Sequence, residues 1–395
     1  MDRATERQAI AQRVRAIPAS GIRRFFDLVS TIPDVISLGV GEPDFTTPEQ
    51  VSAAATNPLK HADFAATHYS SNYGLLSLRQ ALAAHLQTRY GVAYDPSCEL
   101  LITVGVSEAL DLAVRALIDP GDEVIIPEPS YVSYIPCTVL AGGVPVMVPT
   151  YVDRQFEPDP AAIAAAITPR TKAILLGYPN NPTGAVASRE TLQRIVQLAV
   201  EHDLYLISDE IYDRLVYDGD HVCLSALPGA RDRTILLGGF SKAYAMTGWR
   251  VGYAAARPEI LEALMKVHQY VIMCAPSPAQ LAAEEALKTA EPDVVRMVAE
   301  YNRRRRVIVD GLNRIGLTCF EPRGAFYAFP NISSTGMSAD AFAEGLLRDE
   351  HVLVVPGEAF GPAGAGHVRC CYATALPRIE EALTRMERYV RRVYG

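Results

Sequence analysis

The chain has 395 residues, 49% of them hydrophobic and 21% charged, with 27 glycines and 27 prolines that follow no period. That length exceeds one ordinary core, and the composition excludes a disordered or fibrous chain. A formal net charge of −8 with no charged tail argues against nucleic acid and anionic lipid as partners.

The opening MDRATERQAI is charged throughout, and no apolar run nears the roughly 20 residues of a membrane span, so a cytoplasmic protein is expected. Seven cysteines without C-x-x-C spacing read as buried thiols in a reducing compartment. The first 48 residues hold a helix-like start and one strand, VISLGV at 35–40, followed by the turn-rich GEPDFTTPE. Too short to fold alone, this segment is expected to pack with the small domain described below.

A large domain is expected over 49–290. From about residue 100, β-rich runs at 100–105, 123–127, 144–148, 172–178, 204–210, 234–240 and 251–256 are mostly separated by helical stretches such as 107–117 and 188–202. This alternation is the signature of an α/β fold with a mostly parallel, seven-stranded sheet wrapped by helices. A smaller α+β domain is expected over 291–395, with a long helix, short strands at 325–329, 352–355 and 368–372, and a last helix near 377–393. The RRRR run from Arg303 to Arg306 follows an apolar-periodic stretch and reads as the wet face of that long helix.

In open α/β sheets, ligands sit where strands end at their carboxyl edges. TVGVSEAL at 103–110 is strand, glycine turn and helix, which turns the amides of Val106 and Ser107 outward as a phosphate cradle. A serine N-cap with nothing bound explains the same residues. ISDEIYDRL at 207–215 carries Asp209 and Glu210 off an apolar strand, where a carboxylate requires a partner. A structural ion pair would also satisfy it. GYPNNPTGAV at 177–186 is a tight turn whose asparagines could simply shape the loop or offer an amide to a ligand.

GGFSKAYAMTGWRVGY at 238–253 ends an apolar strand in Lys242, with no acid beside it. A snorkelling lysine is the ordinary explanation. The sharper one is an amine whose lowered pKa lets it condense with an aldehyde. Arg250 and Arg369 sit in otherwise apolar segments and suit a carboxylate or phosphate, or a structural salt bridge. The eight histidines lack metal-ligand spacing, so no metal is expected, and neither a G-x-S-x-G elbow nor a Walker A loop occurs.

A phosphate cradle, an aldehyde-trapping lysine, a carboxylate wanting a cation and a carboxylate-binding arginine converge on one cofactor, pyridoxal 5′-phosphate. The motifs GEPDF-TP, Y-x4-G from Tyr69 to Gly74, PGDEV, NPTG, SDEIY, SKAYAMTGWR-GY, GAFY and VR-x-x-YA stand in one order over residues 17–390. Together they resemble the class I/II aminotransferases, the aspartate aminotransferase-like family of fold type I.

The resemblance implies that Lys242 bonds the cofactor aldehyde and that Asp209 meets its ring nitrogen. It implies that Asn181 and Tyr212 bond the phenolic oxygen and that Tyr131 stacks on the ring. Val106, Ser107 and Arg250 would hold the phosphate, with Tyr69 reaching in from a second subunit of a homodimer. Arg369 and the Gly39 backbone would take the substrate carboxylate. One departure is Gly239, where many relatives carry a phosphate-binding serine, and Ser241 is the alternative hydroxyl.

The implied reaction moves an amino group from an L-amino acid of aromatic, aspartate or alanine type to a 2-oxo acid, 2-oxoglutarate being the expected acceptor, with ping-pong kinetics. Two rivals share the resemblance. One is a C–S lyase or aminocyclopropane-carboxylate-synthase-like enzyme, the other a pyridoxal-phosphate-binding regulatory module. Arg23 and Arg24 in SGIRRFFDL could serve a substrate's second carboxylate or merely cap a surface helix.

Overall fold

The computed structural model describes residues 9–17, 32–61 and 64–394; Arg23 and Arg24 lie outside them. The strands are β1 (Ile36–Ser37), β2 (Leu100–Thr103), β3 (Glu123–Glu128), β4 (Val144–Pro149), β5 (Thr171–Gly177), β6 (Tyr205–Asp209), β7 (Thr234–Gly239), β8 (Gly252–Ala255), β9 (Tyr327–Ala328), β10 (Val352–Leu353), β11 (Val355–Pro356) and β12 (Val368–Cys371). Seven of them form one sheet in the order β2-β8-β7-β6-β5-β3-β4. β8 runs against β2 and β7, and the other neighbours are parallel.

Helices cover both faces, so the central strands are apolar along their length rather than alternating. Ile174, Leu206 and Leu236 are buried with their strand neighbours Leu175, Ile207 and Leu237 on the opposite face. The helix Gly105–Leu117 buries Ala109, Leu110, Leu112 and Ala113 against this sheet. Helix Arg189–Glu201 starts where Ser188 Oγ accepts the Thr191 N–H at 3.2 Å, a side-chain cap that satisfies one orphan donor.

The sequence-expected strands at 35–40 and 352–355 shorten for a common reason. β1 pairs in parallel with β10 over two residues only, and the chain beyond Val354 crosses to a second sheet, β11-β12-β9. A four-residue apolar run is thus divided between two sheets. β12 sits centrally in its sheet, paired with β11 through Arg369 and with β9 through Cys370 and Cys371.

The long helix is Glu291–Arg314, but its arginine run is not uniformly wet. Arg303 and Arg306 are exposed, whereas Arg304 and Arg305 are buried. Arg304 binds Asp44 at 2.7 Å and Glu300 at 2.9 Å, and Arg305 binds Asp218 at 3.0 Å. Helical spacing turns these two inward at the helix's inner edge, where carboxylates from other segments neutralise them. The thiols also divide: Cys223, Cys319, Cys370 and Cys371 are buried, while Cys98, Cys137 and Cys274 are half-exposed in or beside turns and a short helix. Among the described residues, no helix is long and apolar enough to cross a membrane, and no group of side chains is arranged to hold a metal.

Candidate active site

β2, β5, β6 and β7 end at one edge of the main sheet, and β8 begins there. Gly252 stands opposite both Thr103 and Gly239, and Gly177 opposite Asp209. The segments leaving these strands converge on a cavity of about 590 Å³. Gly39, Val106, Ser107, Tyr131, Asn181, Asp209, Tyr212, Ser241, Lys242, Arg250 and Arg369 all line it. Tyr69 is the exception, 82% exposed and outside the cavity of its own chain.

Lys242 enters three residues beyond β7, and its Nζ donates to the Gly41 carbonyl at 2.6 Å. Burial pushes its pKa down to about 8, with Arg369 and Arg250 adding repulsion against opposing pulls from Cys371 and Glu42. Pulse labelling of ligand-free protein with an acylating reagent should therefore modify Lys242 with a midpoint of about pH 8, where surface lysines need roughly pH 10. Peptide mass mapping reads this, and a midpoint like that of the other lysines would contradict it.

Asp209 ends β6 at 6% exposure. Its Oδ2 accepts the Tyr134 hydroxyl at 2.9 Å and its Oδ1 the Ile211 N–H at 3.2 Å. Burial pushes its pKa up to about 6 despite these two bonds and the attraction of Lys242, and among the described residues no cation forms an ion pair with it. Glu210, which follows it, points elsewhere, to His221 at 2.6 Å and Ser208 at 2.8 Å. Of the two acids, only Asp209 faces the cavity.

Arg369 reaches the cavity from β12. It donates to the Gly39 carbonyl at 2.6 Å and to Asn181 Oδ1 at 2.9 Å, and lies between the rings of Tyr327 and Phe360, 4.6 and 4.8 Å from their centroids. Its Nε is buried without a partner among the described residues, and no carboxylate pairs with it there. This is a held guanidinium with spare donors, suited to a planar anion. The neighbouring Asn180 is structural, bonding Thr183 Oγ1 at 2.8 Å, so the NPTG turn uses its two asparagines differently.

On the opposite wall, Gly105 (φ +73°) turns the chain from β2 into its helix, where a Cβ would meet Arg250 Nη2 at 2.7 Å. Arg250 holds a left-handed backbone (φ 53°), uncommon outside glycine, and donates to Thr247 O at 2.8 Å. Its guanidinium thus lies beside the amides of Val106 and Ser107, which have no intrahelical acceptor at this helix end. At Gly239 a Cβ would stand 2.9 Å from Val106 Cγ2 and 3.2 Å from Gly252 Cα. Glycine is the residue that lets the cradle pack on β7, while Ser241 keeps a hydroxyl on the cavity wall.

A family model described as Aminotransferase class I and II matches residues 33–386. The chain is a class I and II aminotransferase. YugH of Bacillus subtilis (strain 168), whose aminotransferase name is itself provisional, is 50% identical over 96% of this chain and 98% of that protein. Aromatic-amino-acid aminotransferase 2 of Thermococcus litoralis is 42% identical, covering 97% and 98%. Aspartate aminotransferase from Thermus thermophilus with maleate has a TM-score of 0.91 at 39% identity, covering 96% of this chain and 99% of that one. This aminotransferase therefore has the fold of its family, fold type I, and catalyses amino-group transfer. The family generally depends on pyridoxal phosphate.

Two cavity residues of this aminotransferase escaped the sequence reading. Tyr134 holds Asp209, and its spacing from Tyr131 on a short helical turn was the available signal. Tyr327, within GAFY, places its hydroxyl 2.6 Å from that of Tyr212 and its ring against Arg369. Burial raises the hydroxyl pKa of both Tyr212 and Tyr327, keeping them neutral hydrogen-bonding groups.

Proposed function

We propose that the chain is a pyridoxal 5′-phosphate-dependent aminotransferase acting on an L-amino acid and a 2-oxo acid. One observation carries the cofactor reading: an amine whose pKa is lowered to about 8, Lys242, shares a cavity with a buried carboxylate, Asp209, and a helix N-terminus beside Arg250. Each group matches one end of that cofactor. When bound, pyridoxal 5′-phosphate supplies an electrophilic aldehyde and an electron-accepting pyridine ring.

The chain's own residues then divide the work. The amides of Val106 and Ser107, with Arg250 and Ser241, hold the phosphate. Asp209, oriented by Tyr134, gives the ring nitrogen's proton an ionised partner and so raises that nitrogen's pKa. Tyr131 packs on the ring, and Tyr212 and Asn181 donate to its phenolic oxygen. Arg369, fixed by Gly39 and Asn181, takes the substrate α-carboxylate and so sets the direction of the Cα–H bond. Lys242 carries the proton from Cα, general acid–base work worth about 10²–10⁴-fold in rate.

Val40, Tyr131 and Tyr327 give apolar walls that favour aromatic donors over aspartate or alanine. Lys242, Arg250 and Arg369 are the cations of the described cavity lining. The cofactor aldehyde, its phosphate and the substrate α-carboxylate engage all three. We propose 2-oxoglutarate as acceptor because its use is general in the family, its second carboxylate then drawing on groups outside that lining. The exposed Tyr69 (82%) and Tyr270 (86%) support a homodimer in which Tyr69 enters the neighbour's site. We also propose a large unit over 49–290 and a small one over 291–395 joined by 1–48, in the cytoplasm.

Initial rates with an aromatic donor and 2-oxoglutarate should give parallel double-reciprocal lines, because the first product leaves before the second substrate binds. Intersecting lines would refute this, and ammonia formed without acceptor would point to a lyase. Arg369→Lys loses the planar fork, and KM for both substrates should rise about 10–100-fold with a smaller change in kcat. An unchanged KM would remove Arg369 from the carboxylate site.

A further inference from the structure

Glu108 is the fourth residue of helix Gly105–Leu117, close behind the amides assigned to the phosphate. An acid in a first turn is attracted to the same partial positive charge that draws a phosphate. Left free, its carboxylate would compete for Val106 and Ser107. Instead one oxygen, Oε2, accepts the N–H of Val104, the residue preceding the helix. The other, Oε1, lies 2.8 Å from His268 Nδ1, which donates to it.

His268 comes from helix Pro258–Val271, packed against the first helix, and is fully buried at 0% exposure. Its Nε2 is buried with no partner among the described residues, so Glu108 is the one side chain its ring polar atoms engage. Gly252 supports the turn from below, where a Cβ would meet Gly105 C at 2.7 Å and Val106 N at 2.8 Å. Val104 N–H is thus satisfied from behind, which leaves the next three amides for an external anion.

We propose that Glu108, held by His268, is a positioning residue that fixes this turn and keeps the Val106 and Ser107 amides free for the cofactor's phosphate. The inference rests on pyridoxal 5′-phosphate being the cofactor. It makes phosphate affinity, rather than aldehyde chemistry, the property that Glu108 controls.

The test titrates cofactor-free protein with pyridoxal 5′-phosphate and, separately, with unphosphorylated pyridoxal, following the fluorescence of Trp249, the chain's single tryptophan. Glu108→Ala should weaken the phosphate ester about tenfold, the usual scale for losing a helix cap, and leave pyridoxal within twofold. Glu108→Gln, whose amide oxygen still accepts the Val104 N–H, should restore near-native affinity for the ester. Equal weakening of both vitamers, no weakening, or tighter binding of the ester by Glu108→Ala would each overturn the proposal. A native chain that takes up neither vitamer would overturn the cofactor reading and this inference with it.

Discussion

Replacing Lys242 by alanine should abolish turnover to a greater extent than the loss of a general base alone. General acid–base groups are worth about 10²–10⁴-fold, and Lys242 is assigned both that role and the covalent hold on the cofactor. Its position supports the double duty: the amine is half-buried, shifted down to about 8, and shares the cavity with Arg369 and Arg250, which both repel its charged form. Borohydride treatment of native protein incubated with pyridoxal 5′-phosphate should fix the cofactor's mass on Lys242, and the alanine variant should gain none. Lys242→Arg separates charge from nucleophilicity, since a guanidinium stays protonated throughout the working range. It should be as inactive as the alanine variant. If either variant kept more than about one part in 10² of native kcat, proton transfer at Cα would belong to another group.

What the sequence disclosed and what it withheld divide along one line. Lys242, Asp209, Asn181, Val106 and Ser107 were legible because each follows an apolar strand, and parallel strands bring their carboxyl ends to one edge. Local pattern plus that topological rule is enough to gather them. The antiparallel β8 adds Arg250 to the same edge from its amino end, which the motif resemblance supplied and strand periodicity did not. Tyr134 and the pair Glu108–His268 act through contacts with residues 75 and 160 positions away, and no periodicity encodes such a pairing. Arg304 and Arg305 misled for a related reason. A run of four arginines reads as solvated until Asp44 and Asp218 are known to lie against it. Short strands such as β10 and β11 were merged because the change of sheet at Val354 leaves no mark in an unbroken apolar run.

Asp209→Asn should lower activity and yet stabilise the cofactor-free protein, and the two effects share one cause. Burial raises the folded pKa of Asp209 from 3.8 to about 6. Between those values the folded chain keeps a proton that the unfolded chain has released, so the carboxylate's contribution to stability falls as pH rises from 4 to 6 and stays low above. At pH 8 the difference corresponds to roughly 3 kcal/mol, since one pKa unit is about 1.4 kcal/mol. Asparagine carries no such charge and can still accept from Tyr134 or Ile211. The apparent melting temperature of cofactor-free Asp209→Asn, scanned at a fixed rate, should match the native chain near pH 4 and exceed it by several degrees at pH 8. With cofactor the order of merit reverses. A neutral amide cannot hold the proton on the ring nitrogen, and kcat should fall by about 10²–10³, the scale of removing one preorganised charge partner. Equal melting curves at both pH values would mean that Asp209 finds a cation even without the cofactor. A variant with native kcat would mean that the ring nitrogen is not its partner.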